Sequence, residues 1–256
     1  MRIPPSLLSI TVPVVLSVAG CSRGSATASL DATPQTDAAS ARDAAVLPDA
    51  SGPHRHTIAI DGVDDFTAGE RFVTTSGGYT ARVTWDAEHV YVGYSGPDLD
   101  PAALDAATKW LFVYVDVDPG TPNGATTSET YNTQRAVFPA GFRGDFYARW
   151  KCDTTLVSLQ QYAGTPVWTT HATVPPAARS ADYVELAVPR AAIGATGTIS
   201  LVSWMVNEKD QFEGTFAGLY AGNFADGYQA ELPLTSYLVI DPAQTRPPAD
   251  PANRAP

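Results

Sequence analysis

The chain contains few cysteines and few basic residues, and both shortages restrict its class. Its 256 residues include 2 cysteines, Cys21 and Cys152, so a disulfide framework is not expected. The 16 Lys and Arg residues are outnumbered by 27 Asp and Glu residues, which gives a net charge of −11. This excess of acid disfavours nucleic acid and anionic lipid as partners, and it suits neutral ligands or cations.

The common catalytic motifs are missing as well. The chain has no G-x-S-x-G, no H-E-x-x-H and no glycine-rich phosphate loop. His54 and His56 form an isolated H-x-H pair, which is weak evidence for a metal site. We therefore expect no enzyme activity, although two carboxylates that are distant in sequence would still permit glycoside hydrolysis.

Long apolar runs are absent after the N-terminus, where Leu7 to Val18 is too short to span a bilayer. Arg2 precedes this run, and Val18-Ala19-Gly20-Cys21 follows it. This order resembles a bacterial lipobox, so we expect residues 1–20 to be a lipoprotein signal peptide and Cys21 to be acylated. The protein would then be secreted and anchored by lipid to the membrane, with the outer membrane or cell surface favoured. The alternative is an ordinary secretory signal with Cys21 incidental.

Composition divides the rest of the chain into three parts. Residues 21–56 are rich in Ala, Ser, Asp and Pro, with an aspartate recurring every six residues from Asp31 to Asp49. Such a segment cannot bury enough apolar surface to fold, so it is predicted to be a disordered tether. Residues 57–240 are predicted to form one domain, and residues 241–256 a disordered proline-rich tail.

The predicted domain has an apolar period of two residues, which is typical of β-strands. Residues 79–85 and 89–94 alternate on either side of Asp86-Ala87-Glu88, which predicts a hairpin. Further strands are expected near 109–118, 144–152, 155–162, 166–173, 184–188, 198–207 and 235–240. This predicts an all-β antiparallel sandwich, immunoglobulin-like or jelly-roll-like, with one or two short helices, the best of them at residues 100–107.

Four segments in order carry a family resemblance: Ile60-Asp61-Gly62, Val83 to Val92, Phe112 to Gly120, and Val184 to Pro189. The IDG opening, the WD hairpin, the strand ending in paired aspartates and the E-x-x-x-P segment together resemble the family 9 carbohydrate-binding modules and the DOMON-like domains. The resemblance implies a β-sandwich. Some relatives bind sugars or haem; here a sugar is the expected ligand and haem is not expected.

Paired acids indicate a cation site. Asp116 and Asp118 share one strand face, and Asn123 follows beyond a Pro-Gly turn. Carboxylate and amide oxygens are ligands that Ca²⁺ prefers, so these three residues are predicted to bind calcium. The alternative is that Asp118-Pro119-Gly120 only ends the strand.

A second set of residues suits recognition of a neutral sugar, which needs a flat apolar contact and oriented hydrogen-bond donors. The predicted ligand-binding residues are Tyr131, Asn132, Gln134, Arg149, Trp150 and Glu208. A core position for Trp150 remains an alternative.

The function expected from the sequence is therefore a non-catalytic binding module, for carbohydrate, on a cell-surface or periplasmic lipoprotein. The alternative is a structural or adhesive lipoprotein that binds another protein and no small molecule. The partners expected are the membrane, through Cys21, and a glycan; the oligomeric state stays open.

Overall fold

The computed structural model describes residues 52–100, 102, 109–152, 155–208, 213–245 and 253–254. The signal peptide, Cys21 and the tether up to residue 51 lie outside these residues, as do most of the predicted helix at 100–107 and most of the tail. Of that helix, the Ala102 amide donates to the Asp100 side chain at 2.8 Å, a bond of the kind expected at a helix start.

Strands make up almost all of the regular secondary structure of the described residues. One short 3₁₀ turn, Ala68–Glu70, precedes them. The strands are β1 Arg71–Val73, β2 Thr80–Trp85, β3 His89–Ser95, β4 Lys109–Asp116, β5 Arg135–Val137, β6 Phe146–Lys151, β7 Val157–Gly164, β8 Val167–Thr170, β9 Ala177–Ser180, β10 Tyr183–Pro189, β11 Ile199–Asn207, β12 Gly214–Phe216, β13 Glu231–Pro233, β14 Ser236–Ile240 and β15 Asn253–Arg254.

Two antiparallel sheets form a sandwich, which confirms the predicted fold class. The smaller sheet has the order β1-β2-β3-β10-β9, and the larger has the order β15-β14-β11-β4-β6-β7-β8. Strand β12 pairs with β11, and β5 pairs with β13 in a separate parallel ribbon. The predicted hairpin is β2–β3, with Trp85 opposite Val90.

The main core lies between the two sheets and follows from the alternation of the strands. Residues 111, 113 and 115 of β4 point inward, as do residues 146, 148 and 150 of β6. They meet Val83, Val92 and Leu186 from the smaller sheet. The burial of these apolar side chains supplies the main favourable term in folding.

The outer faces of both sheets are also covered. The segment from Ile58 to Phe66 packs on Tyr91 and Tyr183, outside the smaller sheet. Outside the larger sheet, loops 125–142 and 223–235 cover a second cluster of aromatic side chains. This second cover explains why β4 is buried on both faces, and it builds the surface on which the candidate site lies.

The borders of the domain differ from those predicted. His54 and His56, expected in the tether, bond to the domain: both contact the buried Glu70 carboxylate, His54 at 3.1 Å and His56 at 2.9 Å. In the predicted tail, β15 pairs with β14 and extends the larger sheet. The buried Glu70 carboxylate explains why His54 and His56 attach to the domain, because a buried carboxylate requires hydrogen-bond donors.

Candidate functional site

Aromatic side chains cover the outer face of the larger sheet. Phe112, Tyr114, Tyr147 and Trp204 project from neighbouring strands, where alternation places them on one face. The rings of Tyr114 and Trp204 stack with centroids 5.3 Å apart and planes only 4° apart. This layer is buried beneath the covering loops and packs against the residues that line the outer face.

An open cleft of about 310 Å³ lies beside this layer. Trp168 and Tyr162, from β8 and β7, form its aromatic wall, with ring centroids 5.3 Å apart and planes inclined at 59°. Glu129, Arg135 and several threonines line the polar side. We call this cleft the aromatic cleft. It combines partly exposed rings with hydrogen-bonding groups, which is the composition of small-molecule sites.

Glu129 connects the aromatic cleft to the sheet below. Its carboxylate accepts hydrogen bonds from the Tyr147 hydroxyl and, at 3.4 Å, from Arg149 Nη1. The Glu129 amide donates to the Tyr114 hydroxyl at 3.2 Å. Arg149 is held on its other side by a 3.2 Å hydrogen bond from Nε to Ser158. The Glu129 carboxylate, which lines the cleft, and the Arg149 guanidinium bonded to it are therefore fixed in orientation by their neighbours.

Tyr131 and Glu208 form a second polar group on the same outer face. The Tyr131 hydroxyl donates to Glu208 at 2.7 Å, and Lys151 Nζ lies 2.5 Å from the same carboxylate. Burial opposes ionisation of Glu208, but the hydrogen bonds from Lys151 and Tyr131 outweigh it and lower its pKa. Burial and the neighbouring carboxylate raise the pKa of Tyr131, so its hydroxyl keeps its proton and remains a donor.

The amides predicted as ligand contacts lie nearby but differ in exposure. Asn132 is exposed and donates from its side chain to Glu213. Gln134 is buried below Tyr131, and its Nε2 has no hydrogen-bond partner among the described residues. Asn132 is therefore accessible to a ligand, whereas Gln134 is buried.

Trp150 does not join this group. It is 3 % exposed and belongs to the core between the sheets, on the face of β6 opposite to Arg149. The aromatic contact in the cleft comes instead from Trp168, which the sequence analysis did not select. The signal for Trp168 is weak in the sequence, because strand β8 is short and exposed on both faces.

Two of the three residues predicted to bind a cation, Asp116 and Asp118, lie close to Asp145 at the end of β4. Ligand oxygens of Asp116, Asp118 and Asp145 all lie within 4.8 Å of one another. Asp145 was not predicted; it immediately precedes β6, which pairs with β4 through Val115 and Phe146. Asn123 is exposed and directs its amide nitrogen to Asp118 at 3.4 Å, so its oxygen is not turned toward the cluster.

The electrostatics of this acidic cluster are unfavourable without a cation. Burial raises the pKa of Asp116 to about 6, and the charge of Asp145 adds to the rise. Burial also raises the pKa of Asp145, and the charge of Asp118 raises it further. Backbone amides satisfy part of the set: Arg143 donates to Asp116 at 3.0 Å and Val117 to Asp145 at 2.9 Å. Asp118 Oδ1 is buried and has no described donor.

No protein-family model, curated protein or solved structure matches this chain. Among the described residues there is no helix with the length and apolar character needed to cross a membrane.

Proposed function

We propose that this chain is a lipid-anchored, non-catalytic binding module that holds a neutral polar ligand, specifically a carbohydrate, in the aromatic cleft. The observation that carries the proposal is the cleft itself: Trp168 and Tyr162 form one wall, and Glu129, Arg135 and threonines form the other. Sugar rings have weakly apolar C–H faces that contact aromatic rings, and hydroxyls that need oriented partners.

Charge in the aromatic cleft is balanced, which favours a neutral ligand. Glu129 is paired with Arg149, and Arg135 forms an ion pair with Glu231. Each charged group therefore has a partner already and acts on a ligand mainly through hydrogen bonds. Because each such bond replaces one to water, it contributes only about 0.5–1.5 kcal/mol. The expected dissociation constant is in the micromolar to millimolar range, which corresponds to about −4 to −8 kcal/mol.

The lipobox-like segment supports the anchoring part of the proposal. An acylated Cys21 would hold the chain at the membrane, and residues 22–51 would separate the anchor from the domain. The ordered family-like motifs, from Ile60-Asp61-Gly62 to Val184–Pro189, support a relation to the family 9 and DOMON-like binding modules. A module of this kind, displayed outside the cell, would recognise glycans or capture them.

We also propose that Ca²⁺ binds Asp116, Asp118 and Asp145. Calcium takes oxygen ligands at about 2.3–2.6 Å, so two ligands on opposite sides of the ion lie up to about 5 Å apart. The spread of the three carboxylates falls within that limit. A divalent cation would offset two of the three negative charges and would bind Asp118 Oδ1, which accepts no hydrogen bond from the described residues. The expected role is to fix the end of β4 against the start of β6.

The binding proposal is tested with a soluble Cys21→Ser chain on a glycan array. Trp168→Ala is expected to abolish binding, because it removes the largest ring of the aromatic cleft. The matched control is Val167→Ala, which alters the neighbouring exposed residue of the same strand and should bind normally. Retained binding by Trp168→Ala, or equal loss in both variants, would contradict the assignment. Capture of a protein with no glycan bound would favour the adhesive alternative.

A further inference from the structure

A separate cleft at the end of the sandwich contains two arginines. Arg55, from the segment that enters the domain, and Arg190, just after β10, line an opening of about 430 Å³. Trp85, Asp86 and Pro242 also line it. We call it the arginine cleft; it shares no lining residue with the aromatic cleft.

Arg190 is a buried cation that lines this cleft. Its side chain forms no ion pair with any described residue, and only 6 % of the residue is exposed. Nη2 donates to the Gly197 carbonyl at 3.2 Å, whereas Nη1 is buried and has no partner among the described residues. Burying an unpaired charge and an unbonded donor is costly, so a counter-ion at Arg190 would stabilise the folded chain.

The neighbours of Arg190 strengthen this argument. Burial lowers the pKa of Arg190 and the positive charge of nearby Arg55 lowers it further, while the charge of Asp86 offsets part of this shift. The Trp85 indole nitrogen is a second buried donor with no described partner, although Trp85 lines the same cleft. Two guanidinium groups and two unbonded N–H donors are thus close together in a chain whose net charge is −11.

Asp86 is the acid that lines this cleft, and both of its carboxylate oxygens already accept hydrogen bonds. Oδ1 accepts the amides of Glu88 and His89, both at 2.7 Å. Oδ2 accepts the hydroxyls of Thr57 at 2.8 Å and Tyr91 at 2.7 Å. These bonds fix Asp86 in the β2–β3 turn, and it forms no ion pair with either arginine.

We propose that the arginine cleft binds an oxyanion, a sulfate, phosphate or carboxylate group, between Arg55 and Arg190. Arginine forms forked hydrogen bonds that match the geometry of such groups. Protein atoms cover Arg190 Nη1 and Trp85 Nε1, so binding requires the Arg190 side chain to turn toward the opening. Arg55 is exposed and closes on the anion from the solvent side.

The test is a titration of the soluble Cys21→Ser chain with sodium sulfate, and separately with sodium acetate, at constant ionic strength. The indole N–H signal of Trp85 is followed by NMR. We expect a saturable shift in the wild-type domain and at least a tenfold weaker dissociation constant in Arg55→Gln, an exposed substitution that leaves the fold intact. Arg190→Met should abolish the shift. Arg71→Gln, which removes an arginine that is already paired with Asp64 and lines neither cleft, is the control and should bind as wild type.

A response to sulfate alone would assign the site to tetrahedral oxyanions, and a response to acetate as well would extend it to carboxylates. If neither anion produces a saturable shift, or if Arg55→Gln binds as tightly as wild type, the proposal is wrong. Should Arg190→Met fail to fold, the comparison of Arg55→Gln with Arg71→Gln still decides the question.

Discussion

Replacing Asp145 with asparagine is expected to remove the stabilisation that calcium gives to the folded chain. In the absence of a cation, burial and the neighbouring acids raise the Asp116 pKa from 3.8 to about 6. That rise corresponds to about 3 kcal/mol of cost for keeping Asp116 ionised above pH 6. This cost is absent at low pH and appears as the pH rises through the folded pKa, because the folded carboxyl holds its proton more tightly than the unfolded one.

Calcium would offset this cost at neutral pH. An ion at a hundredfold excess over its dissociation constant stabilises the native state by about 2.7 kcal/mol. For a domain of this size the melting temperature should rise by about 5–11 °C, since 1 kcal/mol corresponds to about 2–4 °C. Scanning calorimetry with calcium and with a chelator measures the difference. The increment should shrink below pH about 6, where Asp116 takes up a proton.

The controls separate a bound ion from general screening of charge. Asp145→Asn should melt at the same temperature with and without calcium, whereas Asp65→Asn, an exposed acid away from the cluster, should keep the full increment. Equal melting of the wild-type chain in calcium and chelator would refute the reasoning. Asp116 and Asp118 would then be residues of an ordinary strand end.

Three further predictions concern the core, the pH response and the anchor. Trp150→Ala should cost about 3–5 kcal/mol of unfolding free energy, measured by denaturant titration, because it empties part of the core; a loss below 1 kcal/mol would argue against core packing. Burial lowers the pKa of His54. Below pH about 6.5, His54 therefore binds a proton more readily in the unfolded chain than in the folded chain, and the free energy of unfolding falls. Hydrogen bonds from Thr84 and Thr67 outweigh burial and lower the pKa of Glu70, so stability falls further in acid. The protection factor of the His54 amide, which corrects hydrogen exchange for its intrinsic slowing in acid, should therefore fall as the pH drops, and a pH-independent protection factor would contradict this. Cys21→Ser should abolish labelling by a fatty-acid analogue and release the chain from membranes, and continued labelling would exclude Cys21 as the lipid site.

The long strands were predictable from the sequence because their alternation is strong. Strands β2, β3, β4, β6, β10 and β11 fall where the apolar period of two residues indicates them. The three-residue strands β1, β5, β12 and β13 are too short to show a period, and only their partners define them. The attachment of His54 and His56 was also not predictable, because it depends on Glu70, a residue that local composition does not distinguish.

Which residues share a site depends on strand alternation and on the pairing of strands. Arg149 and Trp150 are neighbours on one strand, and neighbouring side chains of a strand point to opposite faces. Both residues could therefore never face one cleft, and alternation alone is enough to separate them. Asp145 joins Asp116 only through the pairing of β6 with β4. That pairing brings together residues 29 positions apart, which the spacing of acids in the sequence does not reveal.

The most direct test of the binding proposal is a titration of the soluble chain with the glycan that binds best on the array, followed through the indole N–H signals of its tryptophans. The structure predicts a saturable shift of the Trp168 signal, because its ring lines the aromatic cleft, and an unchanged Trp150 signal, because that ring lies in the core. Glycan binding that leaves Trp168 unshifted, or the absence of binding by any neutral glycan, would contradict the account.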